Sequence, residues 1–441
     1  MRTAILGGGI SGLTLARKLR EAGLDVAVFE AAPKIGGLCC SESVDGWTYD
    51  VAGGHILYSK EKPVLDWMVA QTEGGCFQRE RHTKIRVGDR WVHYPFENGI
   101  GDLPKEQTFA CLMGYLEASY ARRKGGAAPT NFGDWIRYRF GEGIERIFMK
   151  PYNEKIWKTP LQEMSTEWVE GRVPDAPIED VVRAAIGIRT EGYTHQSIFY
   201  YPKSGGFEAI VRGIGAGVRD AVRLATPARE VRRKGSQFLV NGELFDHVVS
   251  TVPLPEFAKI APELDAATRD AIERLRYTSL TSVAVGLKHN DLPPYSWIYL
   301  PQHEQGPTNR ITYLSNYSPN VAPPGHGLIL AEVTSAGAPR KDAAFLKEVV
   351  DGLVHAGLFQ AGDVAMTHAS AVKYAYVVFD LDFRKKIDAS LAGVAALGID
   401  TLGRFGRFEY VNSDHCVSRA FALADQLIAK AKRGGAPTAG R

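Results

Sequence analysis

Four residues near the start of the chain have the types and spacing needed to bind a dinucleotide. Gly7, Gly9 and Gly12 follow a short apolar run, and Glu30 stands at the end of a second one. In this pattern the first glycine permits a tight turn, the second lets backbone approach a pyrophosphate, and the third lets a helix pack close to a strand. The carboxylate is placed to accept hydrogen bonds from a ribose diol. The spacing therefore predicts an adenine-dinucleotide site, and the acid disfavours a 2′-phosphate.

A strand, a helix and a second strand must position these residues. Apolar residues 4–6 and 25–29 predict the two strands, and the amphipathic stretch between Gly12 and Gly23 predicts the helix. The N-terminus of such a helix offers free N–H groups to phosphate oxygens. A second glycine pair, Gly36-Gly37, follows directly and resembles the FAD-binding, glutathione-reductase-like flavoproteins. A domain that binds only NAD would usually continue into another βα unit instead.

Composition sets the broad class of the protein. A chain of 441 residues exceeds the size of one growing core, so two or three domains are expected. Lys plus Arg (53) nearly equals Asp plus Glu (50), which predicts neither a nucleic-acid nor a membrane surface. No apolar run reaches 18 residues, and the chain begins on a predicted strand, so we expect no membrane span and no signal peptide. The five cysteines form no disulfide or metal pattern, and we expect a reduced, cytoplasmic setting.

The fold class predicted is α/β: a glutathione-reductase-like FAD-binding Rossmann domain with a helical insert and a mostly antiparallel β-sheet domain. Apolar spacing of three and four predicts helices over 108–122, 131–140 and 143–150, whereas strands are predicted near 282–287, 297–300, 310–314 and 328–333. Asn241-Gly242 predicts a type I′ hairpin turn, and Asn412 or Asp414 is expected to cap a final helix. The domain bounds predicted are 1–95 with 201–276 and 372–435 for the cofactor, 96–190 for the helical insert, 191–200 with 277–371 for the sheet, and 431–441 for a disordered tail.

Several blocks along the chain resemble the UDP-galactopyranose mutase family, especially its eukaryotic-type branch. They occur in the family's order and cover nearly the whole chain. The blocks are Trp91 to Asn98, Leu103 to Glu106, Pro151 to Trp157, Trp168 to Arg172, Trp297 to Tyr299, Arg310, Ser315 to Ser318, Gly403 to Gly406 and Asn412 to His415.

The resemblance implies a flavin-dependent isomerase that interconverts pyranose and furanose forms of a nucleotide sugar, either UDP-galactopyranose and UDP-galactofuranose or a close analogue. The reaction has no net redox change but needs reduced FAD, because N5 of the flavin attacks C1 of the sugar to form a covalent adduct. Its partners would be the nucleotide sugar and a reductant such as NAD(P)H or a reductase, with a homo-oligomer possible. No metal is expected.

The resemblance also implies roles for individual residues. Arg172 and Arg310 match arginines that clamp the diphosphate, because a guanidinium fork suits paired phosphate oxygens. Tyr376 and Tyr410 match tyrosines that contact the same group, with Tyr374 and Phe408 as their alternatives. His55 matches a histidine in a mobile loop beside the flavin. The predicted cofactor contacts are Gly7, Gly9, Ser11, Gly12, Glu30, Gly37, Leu38, Gly54, His55, Val231, Asn412 and Asp414. The predicted substrate contacts are Tyr94, Phe96, Asn98, Asn153, Trp157, Trp297 and Tyr299.

Two departures from the family pattern concern the substrate. Glu97 stands where a glutamine is usual, and a carboxylate accepts hydrogen bonds but does not donate them. The run Ser59-Lys60-Glu61 replaces a more aromatic segment. These differences leave the base and sugar open. Two other classes remain as alternatives: an FAD-dependent oxidoreductase of the amine oxidase or desaturase type, and a binding protein without turnover.

Overall fold

The computed structural model describes residues 1–125, 127–169, 173, 176–190 and 197–434. Its strands are β1 (Arg2–Leu6), β2 (Asp25–Phe29), β3 (Ser41–Val44), β4 (Trp47–Asp50), β5 (Cys76–Glu80), β6 (Thr83–Val87), β7 (Arg90–His93), β8 (Ile198–Pro202), β9 (Val222–Arg223), β10 (Val231–Lys234), β11 (Gln237–Val240), β12 (Glu243–Phe245), β13 (His247–Ser250), β14 (Tyr277–Leu287), β15 (Trp297–Tyr299), β16 (Arg310–Tyr313), β17 (Gly327–Ser335), β18 (Val364–Val377) and β19 (Asp400–Thr401).

The helices lie between these strands or at the end of the chain. They are α1 (Ile10–Glu21), α2 (Lys62–Ala70), α3 (Lys105–Arg123), α4 (Phe132–Ile144), α5 (Lys150–Trp157), α6 (Ile178–Ala185), α7 (Glu208–Ala216), α8 (Leu254–Ile260), α9 (Ala266–Glu273), α10 (Leu314–Tyr317), α11 (Ala343–His355), α12 (Phe383–Ala396) and α13 (Ser413–Gly434). None of the helices in the described ranges is both long and apolar enough to cross a lipid bilayer.

A five-stranded parallel sheet forms the predicted Rossmann unit. Its strand order is β19-β13-β1-β2-β9, with β1 at the centre. Every residue of β13 is buried, as expected for a parallel strand covered on both faces. Helix α1 follows the glycine-rich turn, and α13 packs beside it in the same apolar core. The predicted βαβ unit and Rossmann fold are confirmed.

A seven-stranded sheet forms the second layer, in the order β18-β14-β17-β16-β15-β6-β7. All its neighbouring strands are antiparallel except β15 and β6, which run parallel. The division of the chain here differs from the predicted domain bounds. Strands β6 and β7 belong to the seven-stranded sheet, whereas the sequence places them in the cofactor domain. Strand β8 pairs with β5 and does not join the seven-stranded sheet. The partner of β6 is β15, more than 200 residues later in the chain. The hydrophobic pattern of residues 1–95 cannot reveal so distant a partner.

The helical insert contains α3, α4, α5 and α6 around its own apolar core. Asn131 caps α4 by accepting a hydrogen bond from the Asp134 N–H. A π-helical turn, Glu145–Met149, joins α4 to α5. The predicted hairpin turn is also present, because Asn241 and Gly242 have φ values of 49° and 88° between the antiparallel strands β11 and β12.

Candidate functional site

One cavity of about 1410 Å³ extends from the glycine-rich turn to α5 and the seven-stranded sheet. Pockets for one drug-sized ligand have volumes of about 300–1,000 Å³, so this volume suits a dinucleotide together with a second ligand. Most of the predicted site residues line it. They are Gly7, Gly9, Ser11, Glu30, Gly37, Leu38, Gly54, His55, Tyr94, Asn153, Trp157, Trp297, Tyr299, Arg310, Tyr376, Tyr410, Asn412 and Asp414.

The dinucleotide end of the cavity is built from backbone. Gly9 precedes α1 and offers no side-chain cap, so the first N–H groups of the helix remain available to phosphate oxygens. Gly12 does not line the cavity: a Cβ there would lie 2.1 Å from the Gly7 carbonyl oxygen, so its role is close packing. The Glu30 carboxylate accepts N–H bonds from Gly8 (2.6 Å) and Ala32 (2.7 Å) and still borders the cavity. These residues fit the adenosine and pyrophosphate of FAD.

The loop at residues 53–55 is held by three side chains. Its consecutive N–H groups donate to Ser282 Oγ (2.9 Å), Glu332 Oε1 (3.1 Å) and Asp50 Oδ2 (3.3 Å). Asp50 is fully buried, and burial raises the pKa of its carboxyl to about 6 despite further bonds from Ser41, Tyr201 and Phe207. The loop is therefore anchored from two sheets at once.

His55 is held in the neutral state. Its ring stacks on Phe207 with centroids 4.9 Å apart, and its Nδ1 atom has no hydrogen-bond partner within the described residues. Burial lowers the pKa of the imidazole to about 4, and the charges of Arg310 and Arg404 act in the same direction. A neutral imidazole that borders a cofactor cavity can orient a ligand by one hydrogen bond.

Arg310 lies on the cavity wall with a fully buried partner. Its Nε and Nη2 atoms donate to the two oxygens of Glu332 (2.8 and 3.0 Å), directly across from it on β17. The arginine side chain is 24% exposed and Glu332 is 0% exposed. Although burial opposes it, the Glu332 carboxylate raises the pKa of Arg310 well above its usual value. Glu332 thus fixes the guanidinium and connects it to the loop at Gly54.

Aromatic side chains form the rest of the substrate end. Trp157 makes edge contacts with Tyr376 and Tyr410, with centroids 6.0 Å from each, and its Nε1–H donates to Asn153 Oδ1 (3.0 Å). Tyr299 lies beside Tyr94, 5.5 Å away. These rings offer stacking surface for a planar base and a wall against a sugar.

The predicted alternatives differ in their surroundings. Tyr374 and Tyr376 both border the cavity, but the Tyr374 hydroxyl donates to Glu256 (2.6 Å) on α8. Phe408 is fully buried, whereas Tyr410 borders the cavity.

Other predicted residues lie away from the cavity. Phe96 is buried against Phe148 (4.9 Å), the Asn98 amide donates to Thr190 Oγ1 (2.6 Å), and Val231 is buried at the start of β10. Glu97 is also buried and does not border the cavity. Arg172 lies outside the described residues.

The cavity residues that the sequence prediction missed include Arg404, Arg81 and Tyr152. Arg404 donates to the carbonyl oxygens of Val411 and Ala375 (2.8 Å each), and its Nε has no partner among the described residues. Arg81 lies over the Tyr94 ring, and Tyr152 makes an edge contact with Tyr299. Arg404 lies in the block Gly403-Arg404-Phe405-Gly406, and Tyr152 directly precedes Asn153. The sequence shows these residues but not whether their side chains point into the cavity.

Comparisons with known proteins agree with this architecture. Residues 5–71 match the NAD(P)-binding Rossmann-like domain, and residues 81–368, well over half of the chain, match the flavin containing amine oxidoreductase family. A UDP-galactopyranose mutase from Mycoplasma pneumoniae is 21% identical over 96% of this chain and 95% of its own length. A flavin-containing amine oxidase from Oncorhynchus mykiss is 26% identical over 40% of this chain and 33% of that protein.

Solved structures give the same picture. A reduced UDP-galactopyranose mutase has a TM-score of 0.89 and 27% identity, covering 97% of this chain and 95% of that one. A putative protoporphyrinogen oxidase from Exiguobacterium sp. 255-15 has a TM-score of 0.74 and 17% identity, covering 97% and 99%, and shares the fold. Several curated relatives match over less than two thirds of their length, such as a pseudooxynicotine dehydrogenase from Pseudomonas sp., 21% identical over 57% of this chain and 51% of its own length.

The resemblance to UDP-galactopyranose mutases is confirmed over the full length of the chain. The predicted FAD cofactor is confirmed as well, because the matched family is flavin-containing and the glycine-lined end of the cavity fits the dinucleotide. The chain belongs to the flavin containing amine oxidoreductase family.

Proposed function

We propose that this protein is a flavin-dependent isomerase that interconverts the pyranose and furanose forms of a nucleotide sugar, UDP-galactose or a close analogue. The observation that carries the proposal is the position of Arg310, a partly buried cation that borders the same cavity as the cofactor loop. The full-length likeness to UDP-galactopyranose mutases supports it.

The charges of the cavity favour an anionic substrate. Seven Lys and Arg residues border it, among them Arg81, Arg310 and Arg404, against four Asp and Glu residues. Glu332, the carboxylate paired with Arg310, is fully buried and does not border the cavity. A protonated amine entering this space would meet like charges, whereas a diphosphate would gain charge-assisted hydrogen bonds.

Each wall has a role in the proposed reaction. The rings of Tyr94, Trp297 and Tyr299 hold the base, while Asn153 and Trp157 contact the sugar. Arg310 stabilises the negative charge of the departing diphosphate, and the hydroxyls of Tyr376 and Tyr410 donate to its oxygens. Arg172 is proposed as the second cation of this clamp. Reduced FAD, when bound, supplies N5 as the nucleophile for the anomeric carbon.

His55 and its loop orient the sugar relative to the cofactor and Arg310. The neutral imidazole cannot add a positive charge at ordinary pH, so it contributes a hydrogen bond instead of electrostatic attraction. Its main-chain anchors to Asp50 and, through Gly54, to Glu332 keep the imidazole and Arg310 in a fixed relation. The sugar can then be held between the cofactor and the cation.

An anaerobic assay tests the proposal. Protein reduced with dithionite is incubated with UDP-galactofuranose or UDP-galactopyranose, with oxidised protein as the control, and products are separated by chromatography. We expect isomerisation only with reduced flavin and no net oxidation. Absence of isomerisation there, together with turnover of an amine and oxygen uptake in a separate aerobic assay, would establish the oxidoreductase alternative.

We also propose that a soluble reductant keeps the flavin reduced. NAD(P)H is the first candidate, because the reaction needs reduced flavin but consumes no electrons. Anaerobic bleaching of the flavin absorbance by NADH or NADPH tests this. Absence of bleaching with both would point to a separate reductase.

A further inference from the structure

Lys155 lies inside the protein, and no acidic residue in the described part of the chain pairs with it. The residue is 2% exposed, and its Nζ donates to the carbonyl oxygens of Leu300 (2.9 Å) and Gln302 (2.8 Å). No carboxylate of the described residues forms an ion pair with it. A buried amine usually requires such a partner, because removing an ammonium group from water is costly.

The environment lowers that cost by favouring the neutral amine. Burial lowers the pKa of Lys155 to about 7, the nearby charge of Lys158 adds to this effect, and Glu304 opposes it. A neutral amine still carries two N–H donors, which equals the number of carbonyl oxygens that it serves. The two contacts are therefore satisfied in either protonation state.

The contacts of Lys155 join two walls of the cavity. Its helix, α5, contributes Asn153 and Trp157 to the cavity. Leu300 directly follows β15, which contributes Trp297 and Tyr299. The carbonyl oxygen of Lys155 also accepts a hydrogen bond from Thr334 Oγ1 (2.9 Å) on β17. One residue thus ties the C-terminal half of α5 to two strands of the seven-stranded sheet.

We propose that Lys155 is a positioning residue that sets the separation between α5 and β15, and so matches the cavity to the span of a nucleotide sugar. The inference rests on the proposed function for the identity of the ligand. Its structural part, the attachment of α5 to the sheet, holds for any ligand bound between these walls. Misplacement of such walls by about 1 Å can change rates by about a hundredfold.

Lys386 provides a matched control. This residue lies on α12 and is also buried, but it does not border the cavity. Its ammonium pairs with Asp380 (2.5 Å) and donates to the carbonyl oxygen of Arg274. Replacing it by Met leaves a buried carboxylate unpaired. We therefore expect K386M to lose more stability than K155M, with no change at the cavity.

The experiment compares the FAD-loaded wild type, K155M and K386M. Flavin content, urea unfolding, UDP affinity by calorimetry and hydrogen exchange of the peptide 150–157 are measured on each. For K155M we expect retained flavin, UDP binding weakened by about tenfold and faster exchange in α5. For K386M we expect lower stability but unchanged UDP affinity and unchanged exchange in α5.

Two outcomes separate this inference from the proposed function. If the wild type binds no UDP, the proposed function fails, and exchange in α5 alone decides the role of Lys155. If K155M shows wild-type exchange in α5 and, where UDP binds, wild-type affinity, Lys155 is a structural residue only and the inference is overturned.

Discussion

The two ends of the cavity are built in different ways. At the dinucleotide end, glycines and helix N–H groups surround the space, and the Glu30 carboxylate is held by backbone N–H groups. At the substrate end, arginine and aromatic side chains from α5, β15 and β16 do this work. The glycine-rich turn and Glu30 of the first end come from one local stretch, whereas the second end needs segments more than a hundred residues apart.

This difference shows how tolerance to substitution is distributed. A backbone site depends on the absence of side chains, so even one added methyl group disrupts it. A side-chain site depends on particular groups, and a change there removes one contact while the scaffold stays intact. Cofactor binding and substrate binding should therefore be separable by mutation.

The largest effect is expected for Gly12→Ala. Its Cβ would lie 2.1 Å from the Gly7 carbonyl oxygen, which is backbone and cannot move aside without opening the turn. We expect loss of most bound flavin, measured as visible absorbance per protein after purification. Gly362→Ala is the control, because a Cβ there meets nothing within 4 Å. Full flavin content in G12A would show that flavin binding does not depend on close packing at Gly12.

Arg310→Lys should act only at the substrate end. Lysine keeps a charge opposite Glu332 but lacks the planar fork that bonds both carboxylate oxygens and a phosphate. Hydrogen bonds to charged groups contribute about 1.5–3 kcal/mol, so UDP affinity should fall by about one to two orders of magnitude with flavin retained. Calorimetry measures this, with the exposed pair of Arg340 and Glu348 as the site of a control substitution, R340K. Loss of flavin in R310K would contradict the separation of the two ends.

Asp50, at the border between the two ends, predicts a pH effect on stability. Its folded pKa is raised by burial to about 6 from an ordinary value of 3.8, so the folded state binds more protons than the unfolded state between these values. Its contribution to stability is thus full below about pH 4 and is lost as the pH rises through about 6, a change of about 2–3 kcal/mol. Urea unfolding of wild type and D50N across this range measures it. A constant difference between the two proteins would show that Asp50 does not titrate there.

The dinucleotide end was predictable because its signals are local. Arg2 to Glu30 form one strand-turn-helix-strand unit. The predicted strands at 282–287 and 328–333 also lie within the longer β14 and β17. Alternation and spacing show which face of an element is apolar, but they do not show which element covers it. The pairing of β6 with β15 and the attachment of Lys155 to Leu300 therefore had no sequence signal.

Aromatic residues were the hardest to assign at the substrate end. Phe96 and Tyr94 are two residues apart, yet Phe96 is buried against Phe148 while Tyr94 borders the cavity. Both rings favour burial, and only the turn at 96–98 decides which one faces a ligand. Arg404 was missed for a related reason. Its side chain is oriented by the carbonyl oxygens of Val411 and Ala375, which are not adjacent to it in the sequence.

The smallest expected effects come from the two neighbouring tyrosines of β18. In Tyr376→Phe the ring packing against Trp157 and Tyr410 is kept, and only a hydroxyl near Arg310 is lost. Hydrogen bonds to charged groups contribute about 1.5–3 kcal/mol, and because Arg310 and Tyr410 remain in place we expect the lower end of that range, so UDP affinity should fall by about tenfold. Titration of oxidised holoenzyme with UDP measures it.

Tyr374→Phe is the matched substitution, because the Tyr374 hydroxyl is already bonded to Glu256 beside α8. Losing that bond should lower stability slightly and leave UDP affinity unchanged, since Glu256 keeps its contacts with Lys259 and Lys373. The reverse result is weaker UDP binding in Y374F and unchanged UDP binding in Y376F. It would place the phosphate contact two residues earlier on the strand, at Tyr374. The substrate end of the cavity would then extend toward α8, and the border between the two ends would have to be redrawn there.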